Sequence, residues 1–117
     1  GHDAMLINEG LIIFIVEQLK NGSITLENET VGLLGMAFKP EVDDIRSSLS
    51  YKMKKILRIE AKEVLTTDPF VQDDPELLPL EEVIQRSDRL ILCVPHKAYK
   101  SLDLKGKPVM DVWGYFR

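Results

Sequence analysis

The chain has 117 residues, 44% of them hydrophobic and 29% charged. That is the size and make-up of one soluble globular domain, enough for a single core and not for two. A net charge of −4 excludes the broad basic footprint of a nucleic-acid binder, so an anionic ligand has to be held by a few local cations.

Gly1-His2 reads as an expression remnant. Residues 5–20 carry apolar side chains at Leu6, Ile7, Leu11, Ile13, Phe14, Ile15, Val16 and Leu19, the spacing of a helix with a wide apolar face. Lys20 and Asn21-Gly22 close it. Such a face is generous for a terminal helix and fits a piece of a larger packing arrangement. Its longest apolar run, residues 10–16, is too short to span a bilayer, and it lacks the flanks of a secretory leader. The single cysteine, Cys93, permits no internal disulfide. A cytoplasmic location is therefore expected.

Residues 30–37 (TVGLLGMA) form an apolar run without alternation, which predicts a strand buried on both faces. Residues 47–59 have helical spacing, with Leu49, Met53, Ile56 and Leu57 inward and Lys52, Lys54, Lys55 and Arg58 outward. A second strand is predicted over 63–67, stopped by Asp68-Pro69, and the proline-bearing residues 70–79 are predicted as loop. A short helix over 80–86, a third buried strand over 89–94 ended by Pro95, a helical turn near 97–101 and a last strand over 109–112 complete the chain.

That alternation predicts an α/β fold: a small Rossmann-like parallel sheet of about four strands in spatial order 2-1-3-4, with flanking helices and a preceding N-terminal helix. Ligands of such sheets sit beyond the carboxyl ends of the strands. Here those ends are residues 35–44, 68–71, 95–97 and 113–115.

The turn after the first strand has Gly35 and Ala37 but no Gly-x-Gly-x-x-Gly, so the bare backbone that a dinucleotide pyrophosphate needs is missing. The following loop instead presents Lys39 and Arg46, with Ser47 and Ser48 at the next helix start. Lysine and arginine suit phosphate oxygens, and hydroxyls and helix-start amides add donors. Asp43 and Asp44 would then fix the cations, cap the helix or accept from sugar hydroxyls. The plainer reading stays open: Asp44 caps the helix while Lys39 and Arg46 are solvated.

Cys93 lies in an apolar strand and reads as a small buried hydrophobe rather than a nucleophile. His96, at a strand end, reads as a loop histidine within reach of a ligand. No cluster has metal-ligand spacing.

The stretch holding Gly35, Ala37, Phe38, Lys39, Asp44, Arg46 and Ser48 resembles the UDP-glucose/GDP-mannose dehydrogenase family, in its C-terminal nucleotide-sugar-binding domain. Residues 7–10, Asp68-Pro69, residues 87–104 and the VMDVWG segment extend the likeness along nearly the whole chain. The resemblance implies that residues 1–22 are the tail of a central helical, dimerising region and 23–117 the C-terminal domain. It implies an NAD-dependent enzyme of polysaccharide biosynthesis that oxidises the C6 alcohol of a UDP-sugar to a uronate. NAD would be held mainly by an N-terminal domain, and a central segment would supply the catalytic cysteine.

By position, Phe38 and Lys39 would contact the nucleotide-sugar and Arg46 would reach toward the cofactor. Nothing here matches the Gly-rich cysteine turn, so no catalytic residue is carried over and these residues alone should be inactive. The implied partners are the UDP-sugar, the rest of the same chain and a second copy in a homo-oligomer; neither nucleic acid nor membrane is among them. Many UDP-glucose enzymes follow the last strand's Asp with an arginine; here Val112 and Trp113 follow Asp111, which leaves that contact open and suggests a relative acting on another sugar nucleotide, such as an N-acetylated hexosamine.

Two other readings compete. A free-standing response-regulator-like module would use Asp43-Asp44 as a metal-binding pair, but the third strand ends Cys93-Val94-Pro95 without a phosphoacceptor aspartate. A catalytically dead nucleotide-binding domain would share the fold.

Overall fold

The computed structural model describes residues 9–22, 26–37 and 49–110. Helix α1 (Glu9–Gly22) leads through a 3-10 turn (Leu26–Asn28) into strand β1 (Thr30–Leu34). Helix α2 (Leu49–Glu60), strand β2 (Glu63–Thr67), helix α3 (Leu80–Arg86) and strand β3 (Arg89–Leu92) follow, then a 3-10 turn (Lys97–Tyr99) and strand β4 (Val109–Met110). All pairings are parallel and the order is β2-β1-β3-β4, as the alternation predicts.

Both faces of the sheet are covered, which is why its strands do not alternate. Val31 and Leu33 of β1 and Ile91 of β3 pack with Ile12, Ile15, Val16 and Leu19 of α1 and Met53 and Leu57 of α2. Their sheet neighbours Leu34, Leu65, Leu90 and Leu92 point the other way, onto Val83 and Ile84 of α3 and onto Tyr99. Gly32 is bare for the same reason. A Cβ there would lie 2.3 Å from Ser87 Oγ and 2.8 Å from Val83 Cγ1, so α3 seats directly on β1.

α3 is only seven residues long, and Lys107 completes it from outside. The ammonium donates to the carbonyls of Ile84 and Gln85, 2.6 Å each, satisfying acceptors that a helix end leaves open.

Three observations depart from the sequence reading. β1 stops at Leu34 rather than at residue 37, because Gly35 takes φ +99° and turns the chain. β3 likewise ends at Leu92, two residues early. Lys54 is not an outward side chain: it is 6% exposed. Its ammonium lies 5.8 Å from the Tyr51 ring centroid and donates to Glu76 at 2.6 Å, so the buried charge meets a partner. Arg58 reaches the same carboxylate and the Tyr51 hydroxyl donates to Asp74, which fastens the loop after β2 to α2.

α1 buries Ile12, Ile15, Val16 and Leu19, while Ile13 and Phe14 stay 61% and 54% exposed. Among the described residues no helix is long and apolar enough to cross a membrane.

Candidate functional site

The carboxyl ends of β1, β2 and β3 meet at one buried carboxylate. Gly35 N–H still donates to Thr67 O at 2.9 Å, the last rung between β1 and β2. Past Gly35 the chain turns away, and the N–H groups of Met36 and Ala37 no longer face a strand. They donate instead to Asp68 Oδ2, at 2.7 and 3.0 Å.

The other oxygen, Oδ1, accepts from the N–H groups of Phe70 and Val71 at 2.8 and 3.2 Å, which folds the chain sharply after β2. From beyond β3, His96 Nε2 stands 2.9 Å from Oδ2. An ionised carboxylate only accepts, so Nε2 carries the proton and donates. Both side chains are fully buried. The His96 ring is flanked by Phe70, with centroids 4.9 Å apart, and by the edge of Tyr99 at 5.6 Å.

Burial alone would raise the Asp68 carboxyl. The His96 hydrogen bond and the Phe70 and Met36 amides outweigh it and hold the group below the ordinary carboxylate range. The arrangement is an ionised, fully hydrogen-bonded anchor, suited to holding three loops in place rather than to accepting a proton or a phosphoryl group.

The sequence-predicted binding residues Phe38, Lys39 and Arg46 lie outside the described residues, as do Asp43, Asp44, Ser47, Ser48, Asp111 and Trp113. Phe38 and Lys39 directly follow Ala37 in the chain.

Cys93 is where its apolar strand context puts it. The thiol is buried against Met53, Sγ to Sδ 4.0 Å, and burial pushes it up to about 12. It should therefore resist a disulfide reagent such as DTNB at about pH 8 and react fully once the chain is unfolded. Rapid labelling of the native protein would show that the thiol is accessible.

His96 lies on the loop after β3, as the sequence suggests, but its side chain is fully buried against Asp68. The sequence does not mark Asp68 as a functional side chain, because Asp-Pro after a strand reads first as a stop signal. An acid inside an apolar context, rather than in the polar loop beyond it, was the available clue.

Among the described residues no group of His, Cys, Asp and Glu could hold a metal ion. Those residues do not fit a dinucleotide pyrophosphate either. Gly32 is taken up by contact with α3, and Gly35 faces Val94 so closely that a Cβ would lie 2.6 to 2.9 Å from its atoms. Neither glycine offers open backbone at a helix start.

Residues 32–117 match the family model described as "UDP-glucose/GDP-mannose dehydrogenase family, UDP binding domain". The UDP-N-acetyl-D-mannosamine dehydrogenase of Pyrococcus horikoshii is 32% identical over 104 residues, covering 86% of this chain and 24% of that protein. The enzyme of the same name from Yersinia pestis is 27% identical over 135 residues, covering 99% of this chain and 32% of that protein. The chain thus spans between about a quarter and a third of the length of these curated relatives.

Among solved structures, a UDP-glucose dehydrogenase from Pyrobaculum islandicum superposes with a TM-score of 0.78 at 25% identity, covering 87% of this chain and 26% of that one. The Pyrococcus horikoshii UDP-D-ManNAc dehydrogenase superposes with a TM-score of 0.70 at 31% identity, over 82% of this chain and 23% of that one.

Proposed function

This chain belongs to the UDP-glucose/GDP-mannose dehydrogenase family, and we propose that it is the C-terminal, UDP-sugar-binding domain of an NAD-dependent nucleotide-sugar 6-dehydrogenase. Residues 1–22 are then the tail of a central helical region and 23–117 the domain itself. One observation carries the reading: the family match begins within β1 and runs through all three strand ends that converge on Asp68. A parallel sheet with that topology takes ligand at this edge.

In this reading Phe38 and Lys39 contact the nucleotide-sugar, with Lys39 neutralising anionic charge, and Arg46 faces the cofactor. NAD and the catalytic cysteine belong to parts of the full-length protein other than the described residues. The names of the relatives, UDP-N-acetyl-D-mannosamine dehydrogenases in both cases quoted, favour a UDP-linked N-acetylated hexosamine over UDP-glucose.

The experiment is a steady-state assay of NADH formation by the full-length protein. It offers UDP-N-acetyl-D-mannosamine, UDP-glucose and GDP-mannose in turn, beside the isolated 117 residues. Turnover by the full-length protein, fastest with the N-acetylated sugar, and none by the isolated chain is the expected result. Absence of turnover with every sugar nucleotide defeats the reading, as does NAD reduction by the isolated chain.

The signalling reading gains no support from the acid that does occupy this edge. Asp68 has both oxygens committed to N–H donors and cannot also take a phosphoryl group without losing them. An unchanged mass after acetyl phosphate and magnesium is the expected result of that comparison.

A further inference from the structure

The N–H groups of Met36, Ala37, Phe70, Val71 and His96 come from three separate stretches of chain and end on one carboxylate. Few side chains could replace it. Asparagine has the shape but a single acceptor oxygen, so its amide NH2 would be turned against one of the two sets of donors. Glutamate would move the carboxylate by a methylene in a region packed on His96, Phe70 and Tyr99.

We infer that Asp68 is a positioning residue for the sugar-nucleotide site: it sets the direction in which the chain leaves β1 at Met36 and Ala37, and His96 holds the carboxylate in that orientation. The inference rests on the reading of the chain as a UDP-sugar-binding domain and names what shapes that site. Ala37 is followed in the chain by Phe38 and Lys39, so a tilt of the peptides that Asp68 holds is carried into the residues proposed to touch substrate. Among the described residues the ladder registers of β1 end at Leu34, so the orientation of Met36 and Ala37 is not set by strand pairing.

An apolar group of similar volume would leave the Met36, Ala37, Phe70 and Val71 N–H groups without an acceptor, so the backbone collected here calls for a carboxylate. What the carboxylate adds is a common reference point for three loops.

The test uses the full-length protein in four forms: wild type, Asp68→Asn, His96→Phe and His96→Gln. Phenylalanine keeps the ring between Phe70 and Tyr99 but loses the donor, whereas glutamine restores an N–H near the position of Nε2. KM for the UDP-sugar should rise about tenfold or more in Asp68→Asn and several-fold in His96→Phe, with kcat changing less, because a displaced contact residue costs substrate affinity first. His96→Gln should recover most of the loss.

Folding is followed by near-ultraviolet circular dichroism, and if Asp68→Asn does not fold the two His96 variants decide. A role confined to stability would lower the melting temperature and leave KM within about twofold of wild type in the folded variants; that result overturns the inference while the functional reading stands. Failure of the wild type to oxidise any UDP-sugar overturns both.

Discussion

Asp68→Asn is expected to cost about 3 kcal/mol or more of folding stability near neutral pH, because it breaks a buried charge-assisted network. The cost arises from the donors. With one acceptor oxygen left, an asparagine can serve the Met36, Ala37 and His96 side or the Phe70 and Val71 side, but not both. Each buried N–H left without an acceptor loses about 1 to 3 kcal/mol.

The pH dependence gives the sharper check. Asp68 is held below the ordinary carboxylate range in the fold, and its unfolded value is about 4. A group depressed by folding stabilises the native state above its unfolded pKa and loses that contribution as the pH falls through its folded pKa. The gap in unfolding free energy between wild type and Asp68→Asn should therefore be widest near neutral pH and shrink below about pH 4. Urea titrations across that range read it directly. A gap of constant width would mean that the carboxyl is not ionised in its buried position.

How much of this was legible in the sequence depends on the range over which each feature is decided. β2 and α3 follow their predicted bounds to the residue, since Asp68-Pro69 and Pro79 are local stops. The apolar run overshoots β1 because hydrophobicity reports burial and not extension. Met36 and Ala37 are as buried as the strand before them, yet they lie beyond a turn that only the φ of Gly35 reveals.

Helical period places Lys54 outward because it reflects its own helix and not the loop that brings Glu76 against it from 22 residues away. The same limit hid the Asp68–His96 pair, separated by 28 residues and joined only when β2 and β3 are laid on either side of β1. Motif reading and geometry thus point to different residues, the first still a proposal and the second observed. The charged side chains Lys39 and Arg46 came from a contiguous pattern. The carboxylate that organises the edge came from three strands meeting.

Gly35→Ala is expected to destabilise the fold by about 3 kcal/mol or more, the sum of a backbone strain and a collision. The strain comes from φ +99°, which an L side chain rarely adopts. The collision comes from a Cβ placed 2.6 Å from Val94 Cβ, 2.8 Å from its nitrogen and 2.9 Å from its oxygen. Val94 cannot simply step aside: its N–H donates to Leu34 O at 3.2 Å, and its own carbonyl accepts the N–H of His96 at 2.9 Å.

Gly106→Ala separates the two contributions. Gly106 also has a positive φ, +72°, but nothing lies within 4 Å of its hypothetical Cβ. It should lose only about 1 kcal/mol, the strain alone. Denaturant midpoints for the two variants, compared at equal slope, measure the difference. Equal losses would show that the approach of β1 to the exit of β3 has slack. A much larger loss at Gly35 would show that the turn after β1 is packed without slack against Val94, whose carbonyl accepts the His96 N–H.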